Sequence, residues 1–208
     1  MEIAVSVWYL VRALGLFAAI VMIAGSRWHA APPFPTFGPA NRITVARGFL
    51  VSMVAGAIGE PARPDIATAV VALGVIAAAF DGLDGWAARR TRMNSAFGAR
   101  FDMEVDALLI QVLAILVWQY DKAGAWILAS GLMRYVFVLA GWVWPWMEAP
   151  LPPSFVRKTI CVVQTAALLV ALLPQVTPPA SALFAAAGLG VLSYSFLTDT
   201  IWLWRHAD

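Results

Sequence analysis

Only one cysteine, Cys161, and two histidines, His29 and His206, occur in the 208 residues. A single thiol excludes an internal disulfide framework and a cysteine-based metal site within one chain. Cys161 sits in an apolar run and reads as a small core or lipid-facing residue. The histidines are far apart and near predicted helix ends, which argues against a histidine metal centre. Charge is also scarce. Charged residues make up 12% of the chain and hydrophobic residues 62%, with a mean hydropathy of +0.78. An ordinary soluble domain carries about 25% charged residues. The surplus apolar surface must face lipid rather than water. A net charge of +2 is too small to point to nucleic acid, and no such partner is expected.

What is present is a series of apolar stretches separated by short polar breaks. They predict seven helices, at about 3–24, 41–58, from 65 into the charged stretch at 81, 103–118, 125–144, 158–173 and 182–204. The first is too long for a signal peptide and lacks a small-residue cleavage site. A Pro-rich connector with Pro32, Pro33, Pro35 and Pro39 follows it, and Pro145, Pro150, Pro152 and Pro153 stiffen a later one. Several stretches approach the roughly 20 residues needed to cross a bilayer. Others are shorter with polar ends, as in helices that project into water or an aqueous cavity. Backbone exposed to lipid must satisfy its own hydrogen bonds, so an all-α integral membrane protein is expected rather than a barrel. Trp118, Tyr120, Trp142, Trp144, Trp146, Trp202 and Trp204 cluster at predicted helix ends, as interfacial belts do. Alternating the seven helices puts Arg27, Arg42, Arg47, Arg89, Arg90, Arg92, Arg100, Arg157, Lys158 and Arg205 on one side. Arg63 and Lys122 fall on the other. The positive-inside rule makes the first side cytoplasmic, with the N-terminus outside and the C-terminus inside.

The chemistry concentrates between residues 81 and 106, in DGLDGWAARRTRMNSAFGARFDMEVD. Asp81 and Asp84 are three apart and share one helix face; Asp102 and Asp106 are four apart and share another. Two antiparallel helices would bring all four carboxylates together. So many like charges repel one another, and a divalent cation removes the conflict. Hard oxygen donors suit Mg2+ or Mn2+ rather than Zn2+. Gly85 lies one turn beyond Asp81, and Ala88 one turn beyond Asp84. Both are small enough for a ligand to approach the backbone. Arg89 continues the Asp81–Gly85 stripe and suits a bidentate phosphate contact. Gly98 permits close approach where the chain returns. The bland alternative is a set of solvated helix ends with the aspartates paired to Arg89, Arg90, Arg92 and Arg100. A cation transporter is another, since acids within a membrane often mark ion paths. It would place acids on several helices near the bilayer midplane, whereas here they lie near one face on two consecutive helices. A catalytically dead scaffold is a third, against which the presence of all four aspartates argues.

The pattern D-x2-D-G-x2-A-R-x8-G-x3-D-x3-D, filled at all eight positions, resembles the signature of the CDP-alcohol phosphotransferase family. At about 1 in 15 usage per residue type, a random window matches on the order of once in 10⁹. Asn41-Arg42-Ile43-Thr44-Val45-Ala46-Arg47 is similar to the N-x2-T-x2-R that opens the family's first core helix. The resemblance implies a six-helix core over 41–208, with residues 1–40 an additional N-terminal transmembrane helix and connector. It implies metal-dependent transfer of a phosphatidyl group from CDP-diacylglycerol to an alcohol, releasing CMP, in phospholipid biosynthesis. Two metals, Mg2+ or Mn2+, are implied: one held by Asp81, Asp84 and Asp102, the other by Asp81, Asp102 and Asp106. Asp106 would also be the general base, and Asn41, Thr44, Gly85, Ala88, Arg89 and Gly98 would line the nucleotide site. A homodimer among membrane lipids is implied, in a cell inner membrane, with its active site facing the cytoplasm.

The acceptor is less legible. Arg134 lies in the middle of a late helix, where an Arg is costly unless it faces a cavity or a partner. Arg157 and Lys158 open the next helix. The three read either as ordinary charge placement or as a site for an acceptor phosphate. Residues 153–158 with Gln164 resemble the corresponding helix of phosphatidylglycerophosphate and cardiolipin synthases, which implies glycerol 3-phosphate or phosphatidylglycerol as acceptor. Tyr135 and Ile160 depart from that pattern, so inositol phosphate, serine and choline stay open. Asp199, the remaining acid of the late helices, is expected to cap or pair near its helix end.

Overall fold

The computed structural model describes residues 5–30, 36–91, 95–149, 151 and 154–207, with the backbone alone at 30, 82–89 and 91. The described residues form seven α-helices, α1 (Val7–Ala30), α2 (Pro39–Gly56), α3 (Pro64–Thr91), α4 (Ala96–Gln119), α5 (Ala129–Val143), α6 (Phe155–Leu172) and α7 (Ala180–Arg205). Short 3-10 turns lie at Ala125–Leu128 and Pro145–Glu148, and no strand occurs among the described residues. Five helical stretches are long and apolar enough to cross a membrane: Val7–His29, Pro64–Asp81, Ala125–Val143, Phe155–Leu172 and Ala180–Arg205. The protein is an all-α, multi-pass membrane protein. The helices outside that set are α2, with Asn41, Arg42 and Arg47, and α4, whose first half holds Arg100, Asp102, Glu104 and Asp106. Both are diluted by the charges of the candidate site.

The chain forms two compact units, Met1–Val112 and Leu113–Asp208. In the first, α2 packs on α1 and α3. Asn41, Thr44, Arg47, Gly48, Val51, Ser52, Val54 and Ala55 lie on its buried face, polar in the first half and mostly apolar in the second. Gly59 ends the turn after α2 at φ +85°, a conformation that favours glycine. A side chain there would also collide with the Arg12 guanidinium. Glu60 is buried; its carboxylate accepts from Ser6 Oγ, from Ser6 N at 3.3 Å and from Arg12 at 2.6 Å. The Ser6 hydrogen bond foremost, with the Arg12 charge, holds its pKa below the usual carboxylate range.

In the second unit α6 packs against α7. Ser154 caps α6 by accepting from Arg157 N at 3.4 Å. Lys122 donates to the carbonyls of Leu173 at 3.0 Å and Val176 at 2.6 Å, and Ser181 Oγ donates to Lys122 O at 2.6 Å. These bonds clasp the connection after α4 to the one between α6 and α7. Phe137 of α5 meets Phe196 of α7 edge to face at 5.6 Å.

Candidate functional site

The candidate site lies in the first unit, where α2, α3 and α4 meet. Asp81 ends the apolar stretch of α3, and the helix continues without a break through Thr91. The first half of the aspartate pattern is therefore helical rather than a loop. Asp84, Gly85, Ala88 and Arg89 follow Asp81 in that helix, but their side chains lie outside the described residues. On the return, α4 begins at Ala96. Ser95 Oγ accepts from Gly98 N at 3.0 Å and caps the first turn. Asp102 and Asp106 follow at one-turn spacing on the same helix.

One carboxylate oxygen from each of Asp81, Asp102 and Asp106 lies within 4.8 Å of the other two. Oxygens on opposite sides of a six-coordinate Mg2+ lie about 4 Å apart, so this all-oxygen donor set fits a hard divalent cation. All three side chains are partly open, with fractional exposures of 28%, 22% and 32% for Asp81, Asp102 and Asp106.

Arg47 places its guanidinium among these carboxylates. Its side chain is 1% exposed. Its Nε donates to Ala77 O at 3.2 Å, one guanidinium nitrogen pairs with Asp81 at 3.3 Å and with Asp102, and the other pairs with Asp106. Arg47 thus bridges α2 to both acidic helices. A lone buried charge is costly, and three carboxylates of opposite sign offset that cost here. Sequence reasoning counted Arg47 as a topology charge and as the end of a motif, not as a site residue. Its signal was there: Asn41, Thr44 and Arg47 recur every three residues and keep to one face of α2.

Asn41 and Thr44 are buried on that face. Asn41 Nδ2 donates to Phe37 O at 2.5 Å, and Thr44 Oγ1 donates to Ala40 O at 3.1 Å. A methyl group added at Gly98 would meet Asn41 Oδ1 at 2.9 Å, so glycine lets the first turn of α4 close on α2. Of the residues read as acceptor contacts, Arg134 is half-buried on α5 and Lys158 is exposed on α6. Arg157, half-buried, pairs with Asp199 of α7 at 3.1 Å, so Asp199 does pair near its helix end.

The profile of the CDP-alcohol phosphatidyltransferase family matches residues 37–197, well over half of the chain, and begins after α1. A CDP-diacylglycerol–glycerol-3-phosphate 3-phosphatidyltransferase of Bacillus subtilis (strain 168) is 31% identical over 109 residues. The aligned part is 47% of this chain and 56% of that protein, so the chain spans about half the length of this relative. No solved structure gives a significant match. The transporter alternative finds no support in these comparisons. On the extent of the profile match, the chain belongs to the CDP-alcohol phosphatidyltransferase family.

Proposed function

We propose that this protein transfers a phosphatidyl group from CDP-diacylglycerol to a phosphate-bearing, glycerol-type alcohol, releasing CMP. The observation that carries the reading is the convergence of Asp81, Asp102 and Asp106 where the apolar stretch of α3 ends. There, a water-soluble nucleotide and a lipid tail meet. Those three residues, with Asp84, would hold Mg2+ or Mn2+, two ions per site. Bound there, the metal neutralises the pyrophosphate and the leaving CMP.

The chain's own groups do the rest. Asn41, Thr44, Gly85, Ala88, Arg89 and Gly98 bind the CDP moiety. The acceptor hydroxyl oxygen bonds to the phosphorus that carries diacylglycerol, and the bond from that phosphorus to CMP breaks. The hydroxyl proton passes to the Asp106 carboxylate, the most open of the three, as general base. Arg134, Arg157 and Lys158 take the acceptor's phosphate. The family and the relative named for glycerol 3-phosphate support an acceptor of that type. Residues 1–40 are an addition to a catalytic domain over 41–208. The distribution of Arg and Lys supports a site facing the cytoplasm in a cell inner membrane.

The test supplies labelled CDP-diacylglycerol with glycerol 3-phosphate, phosphatidylglycerol, inositol phosphate, serine or choline, and identifies the lipid product by mass. The expected product is phosphatidylglycerophosphate from glycerol 3-phosphate, or cardiolipin from phosphatidylglycerol. Use of serine or choline only would sink the phosphate-bearing acceptor. Arg134→Ala should then raise the acceptor KM about tenfold, the scale of a charge-assisted contact, with little change in that for CDP-diacylglycerol.

A further inference from the structure

The helix that precedes the family match, α1, is tied down at both ends. Its first turn is held by Ser6 and Arg12 on Glu60 and by Tyr9, whose hydroxyl donates to Met53 O at 2.8 Å. At its far end Trp28 meets Phe37 edge to face at 5.1 Å and Phe97 at 5.4 Å. Phe37 leads into α2, and Phe97 sits in the first turn of α4, so this one indole touches the entrances of both.

From there the contacts run into the candidate site. Phe37 O accepts a hydrogen bond from Asn41 Nδ2 at 2.5 Å, and the other end of that amide fills the space a side chain at Gly98 would need. Gly98 is four residues before Asp102. Trp28, Phe37, Asn41 and Gly98 thus form one continuous path from α1 to the first turn of α4. An edge-to-face pair prefers a narrow range of separations and angles. Two such pairs on one ring fix the spacing between the starts of α2 and α4.

We infer that α1 braces the nucleotide-binding end of the site and that Trp28 is its positioning residue. The inference rests on the reading that Asn41 and Gly98 line the CDP site. Trp28 touches no substrate; it sets the gap that the nucleotide enters. Its loss weakens CDP-diacylglycerol binding and leaves acceptor binding alone. The Glu60 end of α1 contributes stability without that selectivity.

The test uses the full chain in detergent with Mg2+, measuring CDP-diacylglycerol binding, both KM values, kcat and the thermal midpoint. Trp28→Ala should raise the Kd and KM for CDP-diacylglycerol about fivefold, the scale of one or two lost aromatic pairs. Its acceptor KM and kcat should stay within about twofold, a range equivalent to under half a kcal/mol. Trp28→Phe keeps a ring and should restore most of the binding. Glu60→Gln should lower the midpoint with unchanged binding. If Trp28→Ala yields no folded protein, Trp28→Leu replaces it, with a smaller rise in the same Kd. Wild-type binding by Trp28→Ala or Trp28→Leu overturns the brace, as does an equal loss of binding in Glu60→Gln. Asn41→Ala separates the two ideas: if it binds CDP-diacylglycerol normally, the nucleotide-site reading fails. If it binds poorly while the Trp28 variants bind normally, only the brace fails.

Discussion

Two polar clusters, one in each unit of the chain, are built differently. In the first, Arg47 faces Asp81, Asp102 and Asp106, side chain to side chain, across three helices. In the second, Lys122 and Ser181 bond to backbone carbonyls where helices end. The second pattern is what a bundle needs, because the last carbonyls of a helix have no partner within it. The first is not. Burying charge gives little net stability even when it is paired, and an apolar residue of the same volume often serves the fold as well. A cluster of three acids on one arginine is thus weak as a structural device and strong as a set of oxygen donors. The contrast separates a cluster suited to chemistry from bonds that hold helix connections together.

The largest effect expected from breaking that contrast is at Asp81. Asp81→Ala should remove transfer and CDP-diacylglycerol binding together, because under the proposed mechanism the residue would be a ligand shared by both metals. Activity and binding assays on one preparation check this; retained binding would mean that Asp81 does not hold the site. Next is Arg47→Gln, which leaves three carboxylates facing one another. Breaking a fully buried pair costs about 3–5 kcal/mol, and the partial exposure of the aspartates reduces this to about 2–3 kcal/mol. Without added metal the thermal midpoint should fall accordingly. Mg2+ should recover more of it than in the wild type, since a divalent cation replaces the missing charge. Equal Mg2+ responses in the two proteins would show that the guanidinium and the metal do not share these oxygens.

The smallest effect lies in the second unit. Lys122→Met removes two hydrogen bonds to carbonyls and should cost about 1–2 kcal/mol with no change in either KM. Burial lowers the Lys122 pKa, so the folded state binds that proton less tightly than the unfolded chain. The wild type should therefore gain stability as pH rises through the lowered value towards the ordinary value of about 10.4, and Lys122→Met should not. Unfolding midpoints across that range decide it. A shift in KM from this variant would break the division between the two units.

Much of this division was legible in the residues. Apolar runs predicted seven helices, and the spacing of the aspartates placed Asp102 and Asp106 on one face, as α4 has them. Hydropathy failed where polarity serves a function. The first helix runs on through Ser26, Arg27, Trp28 and His29 to Ala30 instead of stopping at residue 24. The fourth starts at Ala96 rather than 103, because Ser95 caps it and the stretch holding Arg100 and Asp102 is helical. Gly98, read as permitting close approach, lies against Asn41, another residue read as lining the nucleotide site. Arg47 escaped because a sequence shows that a cation is present but not which helices will surround it. Tertiary packing brings Arg47, which is 34 or more residues from Asp81, Asp102 and Asp106 in the sequence, onto them.

The acids that close the apolar stretch of α3 and lie in the first half of α4 are proposed to carry metal-dependent transfer. That role is tested most directly by CMP release from CDP-diacylglycerol in liposomes, followed in EDTA, after restoring Mg2+, and for Asp106→Asn in Mg2+. EDTA should abolish release and Mg2+ should restore it. Asp106→Asn, which keeps the shape but cannot take a proton, should still bind CDP-diacylglycerol while losing about 10²–10⁴-fold in rate. Release that persists in EDTA, or near-normal turnover by Asp106→Asn, would contradict the account.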